Sequence, residues 1–314
     1  MKIYEERRLK LTENLSGDIA VIIPGSILAN RSNDTAYPFR QDSNFYYLSG
    51  FNEPDSTLMI ISKSGKTNSI GFVPKKDKLK EIWDGFRHGP DGMKSDFGFN
   101  DAFNNDEIDE LLPDLLDGVS CVYYPFGKVE GFDQKVIKWT KKANSKDRHS
   151  KKIEIADISK IIGNKRLIKD SSEINIIEKA CKISANAHLE AMKFVKPGMN
   201  EAEVEAFYLY EFAKNGGRFP AYNPIVASGE NACVLHYVEN NQVINDGDLL
   251  LFDAGYEYEM YASDITRTFP ANGKFSDEQL QIYNIVLEAQ KASIDAVRKG
   301  NGVMDPQIIS EKAI

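Results

Sequence analysis

The 314-residue sequence lacks the features of a disulfide-stabilised or membrane-spanning protein. Its three cysteines are widely spaced and form no Cys-x-x-Cys pair, which favours reduced thiols and a cytoplasmic location. No apolar run approaches the roughly 18 residues of a membrane span. Residues 1–11 alternate charged and apolar side chains, without the apolar segment of a signal peptide. We therefore expect no membrane association.

The composition is that of a globular protein large enough for two domains, with 42% hydrophobic and 27% charged residues. Residues 1–165 hold 25 basic and 25 acidic side chains, whereas residues 166–314 hold 14 and 22. The whole net charge of −8 thus lies in the second half. An acidic surface disfavours nucleic-acid binding and is compatible with a cation site.

The first 160 residues are predicted to form a mixed α/β domain, because short apolar strands alternate with helical segments. The predicted strands are residues 19–23, 45–48, 57–62, 69–73 and 119–124, and the predicted helices are residues 2–14 and 106–117. A basic tract at residues 135–152 has eight Lys or Arg against one Asp. It contains a single aromatic residue, Trp139, so the solvated face of a helix plus a linker is favoured over a nucleic-acid patch.

Residues 161–314 are predicted to form a second domain that opens with helices and continues with strands. Capping-box spacing at Asp170 with Glu173, and at Asn200 with Glu203, predicts two helix starts, and a third follows at Ser276. The predicted strands are residues 223–227, 233–238, 248–256 and 260–269. The fold class is therefore α/β, in the broad sense that includes α+β.

Two carboxylates of this second domain are predicted to face each other. If the last two strands form a hairpin that turns at residues 258–259, Asp253 lies opposite Asp264, with Cβ atoms about 4.5–5.5 Å apart. Like charges in that position repel each other unless a cation, a shared proton or a basic partner compensates. A divalent metal site is one solution; an exposed acidic pair, or pairing of Asp264 with Arg267, stays open.

His236 lies in the predicted strand 233–238. A single histidine there fits a core residue, and it also fits a group that steadies a substrate beside a metal. No nucleophile elbow and no glycine-rich phosphate loop accompanies it.

Several stretches of the sequence resemble the Xaa-Pro aminopeptidase (aminopeptidase P) branch of the creatinase/prolidase "pita-bread" metallopeptidases. The resemblance implies an N-terminal creatinase-like domain followed by a pita-bread catalytic domain. The stretches that carry it are residues 31–54, 81–83, 222–231, 235–237, 253–255 and 264–270.

By this resemblance, Asp253 is the ligand of one metal ion and Asp264 bridges two. The ions are divalent, Mn²⁺ in most of the family, which suits oxygen-rich ligation. His236 matches the residue that steadies substrate and transition state. The implied substrates are peptides with proline in the second position, cleaved before the proline.

Three further positions have counterparts in the family. Tyr222 and Thr266 match residues that orient the metal ligands. Trp83 matches a residue that, in related tetramers, reaches the site of a neighbouring subunit, which implies a homo-oligomer, either a dimer or a tetramer, for the complete protein.

The sequence departs from the family pattern after the predicted hairpin. The family's remaining ligands are one His and two Glu, yet no His follows Asp264, and only Glu278, Glu288 and Glu311 do. We therefore expect a C-terminally truncated catalytic domain, the first half of the pita-bread fold, with impaired activity. The alternatives are an Xaa-Pro dipeptidase (prolidase) and a non-catalytic peptide-binding or assembly module.

Overall fold

The computed structural model describes residues 2–146 and 152–314. It divides into two compact units, Met1–Lys169 and Asp170–Ile314. Both combine helices with β-sheet, which confirms the predicted fold class. All three cysteines are free thiols, and no helix of the described ranges is both long and apolar enough to cross a membrane.

The first unit is built on one six-stranded mixed sheet. Its strands are β1 (Ile19–Pro24), β2 (Thr57–Lys63), β3 (Lys66–Val73), β4 (Asp101–Asn104), β5 (Cys121–Tyr124) and β6 (Glu154–Asp157). Its helices are α1 (Lys2–Thr12), α2 (Ser43–Ser49), α3 (Lys78–Asp84), α4 (Gly89–Phe97), α5 (Ile108–Leu115), α6 (Phe132–Asn144) and α7 (Ser159–Leu167). The strand order is β4-β3-β2-β1-β5-β6, so the fully buried β1 lies inside the sheet.

Helices cover both faces of this sheet. Successive side chains of a strand point to opposite faces, so neighbouring residues of β1 belong to two different cores. Ile19 and Val21 join one core with residues of α1, α2, α4 and α7, whereas Ala20 and Ile22 join another with residues of α5 and α6. The sheet therefore has a complete core of its own within the first unit.

The aromatic run at residues 45–48 is helical, so the predicted strand there is wrong. The Asp42 carboxylate accepts hydrogen bonds from the backbone N–H groups of Asn44 and Phe45, and Gly50 ends α2 in the left-handed conformation with φ of 68°. These caps offset the strand preference of the aromatic side chains.

The described part of the basic tract belongs largely to α6, as the helical interpretation predicts. Trp139 is buried in the core of the first unit and donates its indole N–H to Asp109, so it offers no exposed stacking surface. Residues 147–151 of the tract lie outside the described ranges.

The second unit packs helices on a small antiparallel sheet. Its helices are α8 (Ser171–Phe194), α9 (Glu201–Lys214), α10 (Asp277–Ala296) and α11 (Asp305–Ala313). Its strands are β7 (Ile225–Ser228), β8 (Leu249–Ala254), β9 (Glu257–Tyr258), β10 (Tyr261–Ala262) and β11 (Ile265–Pro270). The three-stranded sheet has the order β11-β8-β7, and β9 pairs with β10. Capping boxes at Asp170, Asn200 and Ser276 begin α8, α9 and α10 as predicted.

We expect residues 1–169 to fold when expressed alone, because the first unit contains both cores of its sheet. The segment must extend past residue 160, since Ile158 and Ile162 of the α7 region pack into the first core. Urea denaturation followed by circular dichroism should show one cooperative transition. A gradual, featureless loss of signal would contradict this prediction.

Candidate metal centre

Asp253 lies on the face of β8 that points away from the helical core. Burial alternates along this strand, so that Leu250, Phe252 and Ala254 are buried beneath α8 and α9 while Asp253 is only partly buried on the other face. The alternation follows from the two-residue repeat of a strand. The carboxylate is thereby held on a rigid strand next to solvent.

The hairpin exists, but its predicted register is wrong. The turn lies at Glu259 and Met260, both with positive φ (47° and 69°), one residue later than predicted. Thr266 therefore pairs with Asp253. Because the pairing shifts by two residues, Asp264 stays on the same face as Asp253 and becomes its diagonal neighbour instead of its direct partner.

The Tyr222 hydroxyl joins the two carboxylates. Its oxygen lies 2.5 Å from Asp253 Oδ1 and 2.8 Å from Asp264 Oδ1. A hydroxyl has a single proton, so it donates fully to only one carboxylate at a time. Burial raises the pKa of Tyr222, and its hydrogen bonds to both aspartates raise it further, which keeps the hydroxyl protonated. The cluster therefore has an excess of acceptors, which suits a cation or a further proton.

Tight backbone packing fixes this arrangement. A Cβ on Gly255 would lie 1.9 Å from the Ser263 carbonyl oxygen and 2.8 Å from the Tyr222 ring. The Ser263 hydroxyl and backbone bind Tyr256 across the hairpin, at 2.9–3.1 Å. Because Gly255 has no side chain, the Ser263 backbone and the Tyr222 ring can both lie close to it.

A buried histidine supports β11 from the core side. Ring nitrogen Nε2 of His188 lies 2.9 Å from the carbonyl of Ile265, the residue after Asp264. Burial lowers the pKa of His188 despite hydrogen bonds to backbone carbonyls, which favours the neutral ring. No local pattern in the sequence indicates this contact, since only the fold brings α8 and β11 together.

His236 is not on a strand, so that prediction is wrong. The chain forms a 3-10 turn at Gly229–Cys233 and continues as an irregular loop, in which the His236 side chain is exposed. Within the described residues, His236 makes no hydrogen bond to Asp253, Asp264 or Tyr222. The structure thus brings three predicted site residues together and places His236 on a separate loop.

The other two predicted site residues have different settings. Thr266 is exposed on β11, opposite Asp253. Trp83, on α3 of the first unit, is 88% exposed.

The carboxylates of Asp253 and Asp264 are suitable ligands for a divalent metal ion, but they are too few to complete its coordination. Carboxylate oxygens are the ligands that Mn²⁺ and Mg²⁺ prefer. Among the described residues, however, no three His, Cys, Asp or Glu side chains cluster in a way that could hold a metal. Asp253 and Asp264 thus provide two protein ligands, fewer than a closed site needs.

The two units match two different family descriptions. Residues 4–123 match "Aminopeptidase P, N-terminal domain", and residues 175–314 match "Metallopeptidase family M24". The sequence is 39% identical over 300 residues to Xaa-Pro aminopeptidase of Haemophilus influenzae, a match that covers 96% of this chain and 68% of the relative. The Escherichia coli Xaa-Pro aminopeptidase is also 39% identical, over 305 residues and 69% of its length.

Solved structures show the same likeness. Pseudomonas aeruginosa aminopeptidase PepP superposes with a TM-score of 0.96 at 40% identity, over 99% of this chain and 71% of that chain. Structures of Escherichia coli aminopeptidase P include alanine variants of two aspartates eleven positions apart, and of a histidine seventeen positions before the first. A further structure is the zinc-substituted enzyme in complex with product.

Proposed function

Because this chain belongs to the aminopeptidase P branch of metallopeptidase family M24, we propose that it is a manganese-dependent Xaa-Pro aminopeptidase. Its substrates would be peptides with proline in the second position, from which it releases the first residue. The observation that carries the proposal is the cluster of Asp253 and Asp264 on Tyr222, on a hairpin of the M24 region. His236, Asp253 and Asp264 also have the spacing of three of the residues varied in the Escherichia coli enzyme.

The roles of the side chains follow from their chemistry. Two divalent ions, when bound, would polarise the scissile carbonyl and activate water. Asp253 and Asp264 would hold these ions, and Tyr222 would orient both carboxylates through its hydroxyl. His236 would donate a hydrogen bond to the substrate, and its exposed side chain is accessible to a bound peptide.

The 314 residues by themselves are proposed to hydrolyse such peptides slowly. Two carboxylates leave most coordination positions of two ions to water, so neither ion is held firmly. For the Escherichia coli enzyme, a substrate complex was solved with a variant in which alanine replaces a glutamate, 112 positions after the second aspartate. No residue of these 314 stands that far beyond Asp264.

The decisive test is a chimera that extends residue 314 with the part of the Escherichia coli relative that the match does not cover. With Mn²⁺ and an Xaa-Pro-Xaa peptide, we expect the chimera to release the first residue and its Asp264→Asn variant to be inactive. Residues 1–314 alone should be slower by about three orders of magnitude or more. Chimera activity that needs no metal, or that survives loss of Asp264, would refute the proposed function.

The same assay separates the alternatives. A prolidase would cleave the dipeptide Xaa-Pro in preference to Xaa-Pro-Xaa, and a non-catalytic module would bind peptide without cleaving it. The aminopeptidase N-terminal match at residues 4–123 favours the first proposal. A cytoplasmic location stays a prediction from the free cysteines.

We further propose a homo-oligomer, a dimer or a tetramer, in which α3 contacts a neighbouring subunit. Leu79, Ile82 and Trp83 of α3 are 73%, 77% and 88% exposed, and Phe86 just after the helix is 67% exposed. Such apolar groups together favour an interface. Sedimentation at micromolar concentration should show an assembly that Trp83→Glu weakens. A monomer for the parent chain would contradict this prediction.

A further inference from the structure

The loop that carries His236 is closed by one buried carboxylate, that of Glu201. Glu201 is the first residue of α9 and has 0% exposure. An acidic residue in the first turn of a helix is ordinarily exposed and favoured by the helix dipole. Complete burial is therefore unexpected from the sequence and needs a separate structural reason.

The first oxygen of this carboxylate binds the start of the loop. Oε1 of Glu201 accepts hydrogen bonds from the backbone N–H and the hydroxyl of Ser228, both at 2.8 Å. It also accepts a longer one, of 3.3 Å, from the side-chain amide of Asn231. Ser228 is the last residue of β7, so these bonds hold the chain where it leaves the sheet.

The second oxygen binds the end of the loop. Oε2 of Glu201 accepts from the Tyr237 hydroxyl at 2.8 Å and from the backbone N–H of Gln242 at 3.1 Å. Gln242 in turn accepts the backbone N–H of Glu201 through its carbonyl, at 2.9 Å. One carboxylate therefore links the two ends of the segment. Tyr237 directly follows His236, and because the Tyr237 ring is buried, it anchors the chain next to His236.

The hydrogen-bond donors around Glu201 are all neutral. Within the described part of the chain, no Lys or Arg forms an ion pair with it. Burial by itself raises the pKa of Glu201, but hydrogen bonds from Ser228, Gln242 and Tyr237 outweigh this effect, and the pKa falls below its ordinary value of 4.5. The carboxylate is thus ionised at neutral pH and stabilised entirely by groups of the loop.

Asn240 provides a second, weaker anchor. It is 1% exposed, and its Oδ1 accepts from the backbone N–H of Val226 at 2.9 Å. Its side-chain amide donates to the Pro224 carbonyl and to Glu205, both at 2.9 Å. The loop is therefore held along β7 after residue 237, while the His236 side chain itself stays exposed.

We propose that Glu201 is a positioning residue for His236: its carboxylate sets the conformation of the segment 228–242, and thereby the place of the imidazole. The inference rests on the proposed function only for the role of His236, which is to donate a hydrogen bond to the substrate. The conformational claim stands on the five hydrogen bonds of the buried carboxylate.

Glu201→Gln is the direct test, because glutamine has nearly the same shape. The amide keeps one acceptor oxygen and puts an NH₂ donor against the donors at one end of the loop. Glu203→Gln is the matched control, since Glu203 is an exposed residue of the same turn and glutamine can still cap Asn200. Tyr237→Phe is a milder variant that removes the bond nearest His236, together with two longer contacts of 3.5 Å to Asn241.

The readout is the imidazole signals of uniformly labelled 1–314 by NMR, without metal or peptide, combined with hydrogen exchange. His236→Ala assigns the His236 signal, and buried His188 reports on the core of the same unit. In Glu201→Gln we expect a shifted or broadened His236 signal and at least about tenfold faster exchange in residues 229–242. His188 and the control variant should match the parent protein.

Two results would overturn the proposal. An unchanged His236 signal in both Glu201→Gln and Tyr237→Phe would show that the carboxylate does not set the loop. A His188 signal that changes together with that of His236 in both variants would show that Glu201 holds the whole unit instead. If these spectra behave as expected but His236→Ala leaves the chimera fully active, the proposed role of His236 fails and the positioning result stands.

Discussion

Gly255→Ala is expected to destabilise the second unit by about 3 kcal/mol or more, an effect at the upper end of those caused by overpacking. The added Cβ would lie 1.9 Å from the Ser263 carbonyl oxygen, which belongs to backbone and cannot rotate away. Relief requires the hairpin strands to separate, and that breaks the bonds between Ser263 and Tyr256. The Tyr222 ring, 2.8 Å from the same Cβ, would be displaced as well.

Urea denaturation of the 1–314 chain measures this effect. The matched control is Gly163→Ala, in α7, where a Cβ would meet nothing within 4 Å. That substitution should stabilise the first unit by about 0.5–1 kcal/mol, since alanine is the better helix former. Equal and small effects of both substitutions would show that the hairpin is looser than the structure indicates.

Asp264→Asn is expected to change the second unit in two opposite ways. Without metal, the variant should be more stable by about 0.5–1.5 kcal/mol. The reason is that an amide can donate to the Tyr222 oxygen while the hydroxyl donates to Asp253, which removes the excess of acceptors. With Mn²⁺, the variant should lose the stabilisation that the parent chain gains, which is about 1.4 kcal/mol at ten times the dissociation constant.

Thermal unfolding with and without Mn²⁺ checks both effects. Asp295→Asn is the control, because Asp295 is an exposed residue of α10 and the substitution removes the same charge. It should leave the response to Mn²⁺ unchanged. If Asp264→Asn responds to Mn²⁺ as the parent chain does, the carboxylate is not a ligand.

Tyr222→Phe is expected to lose about 1–3 kcal/mol of stability at neutral pH. The substitution leaves Asp253 and Asp264 without the hydroxyl that lies between them. Tyr210→Phe is the control, since Tyr210 is 59% exposed and the Lys214 ammonium lies over its ring, a contact that phenylalanine keeps. Chemical denaturation should show a loss for the first variant only.

Local signals in the sequence account for much of the fold. Side chains that cap helices act within four residues, so Asp170, Asn200 and Ser276 correctly predicted the starts of α8, α9 and α10. Apolar runs located β1, β2 and β8 for a similar reason. The helix α2 was missed although Asp42 and Gly50 are its caps, because its aromatic side chains suggested a strand.

The candidate site was predicted in outline and wrong in register. The sequence showed two aspartates on one face of a hairpin, since the two-residue repeat of strands is local. The turn position depends on how Glu259 and Met260 adopt positive φ, and nothing in their identity favours that conformation. Spacing therefore could not decide between direct and diagonal pairing.

What the sequence by itself determined is the set of elements, the hairpin and the identity of the two carboxylates, because each depends on neighbours along the chain. Only the tertiary structure decided that Tyr222 joins Asp253 to Asp264 and that Gly255 leaves room for the Tyr222 ring and the Ser263 backbone. It likewise decided the burial of Glu201 beneath the His236 loop. Tyr222 and Glu201 contact partners 27 or more positions away, and the energies of these contacts arise from packing and desolvation that no local pattern records.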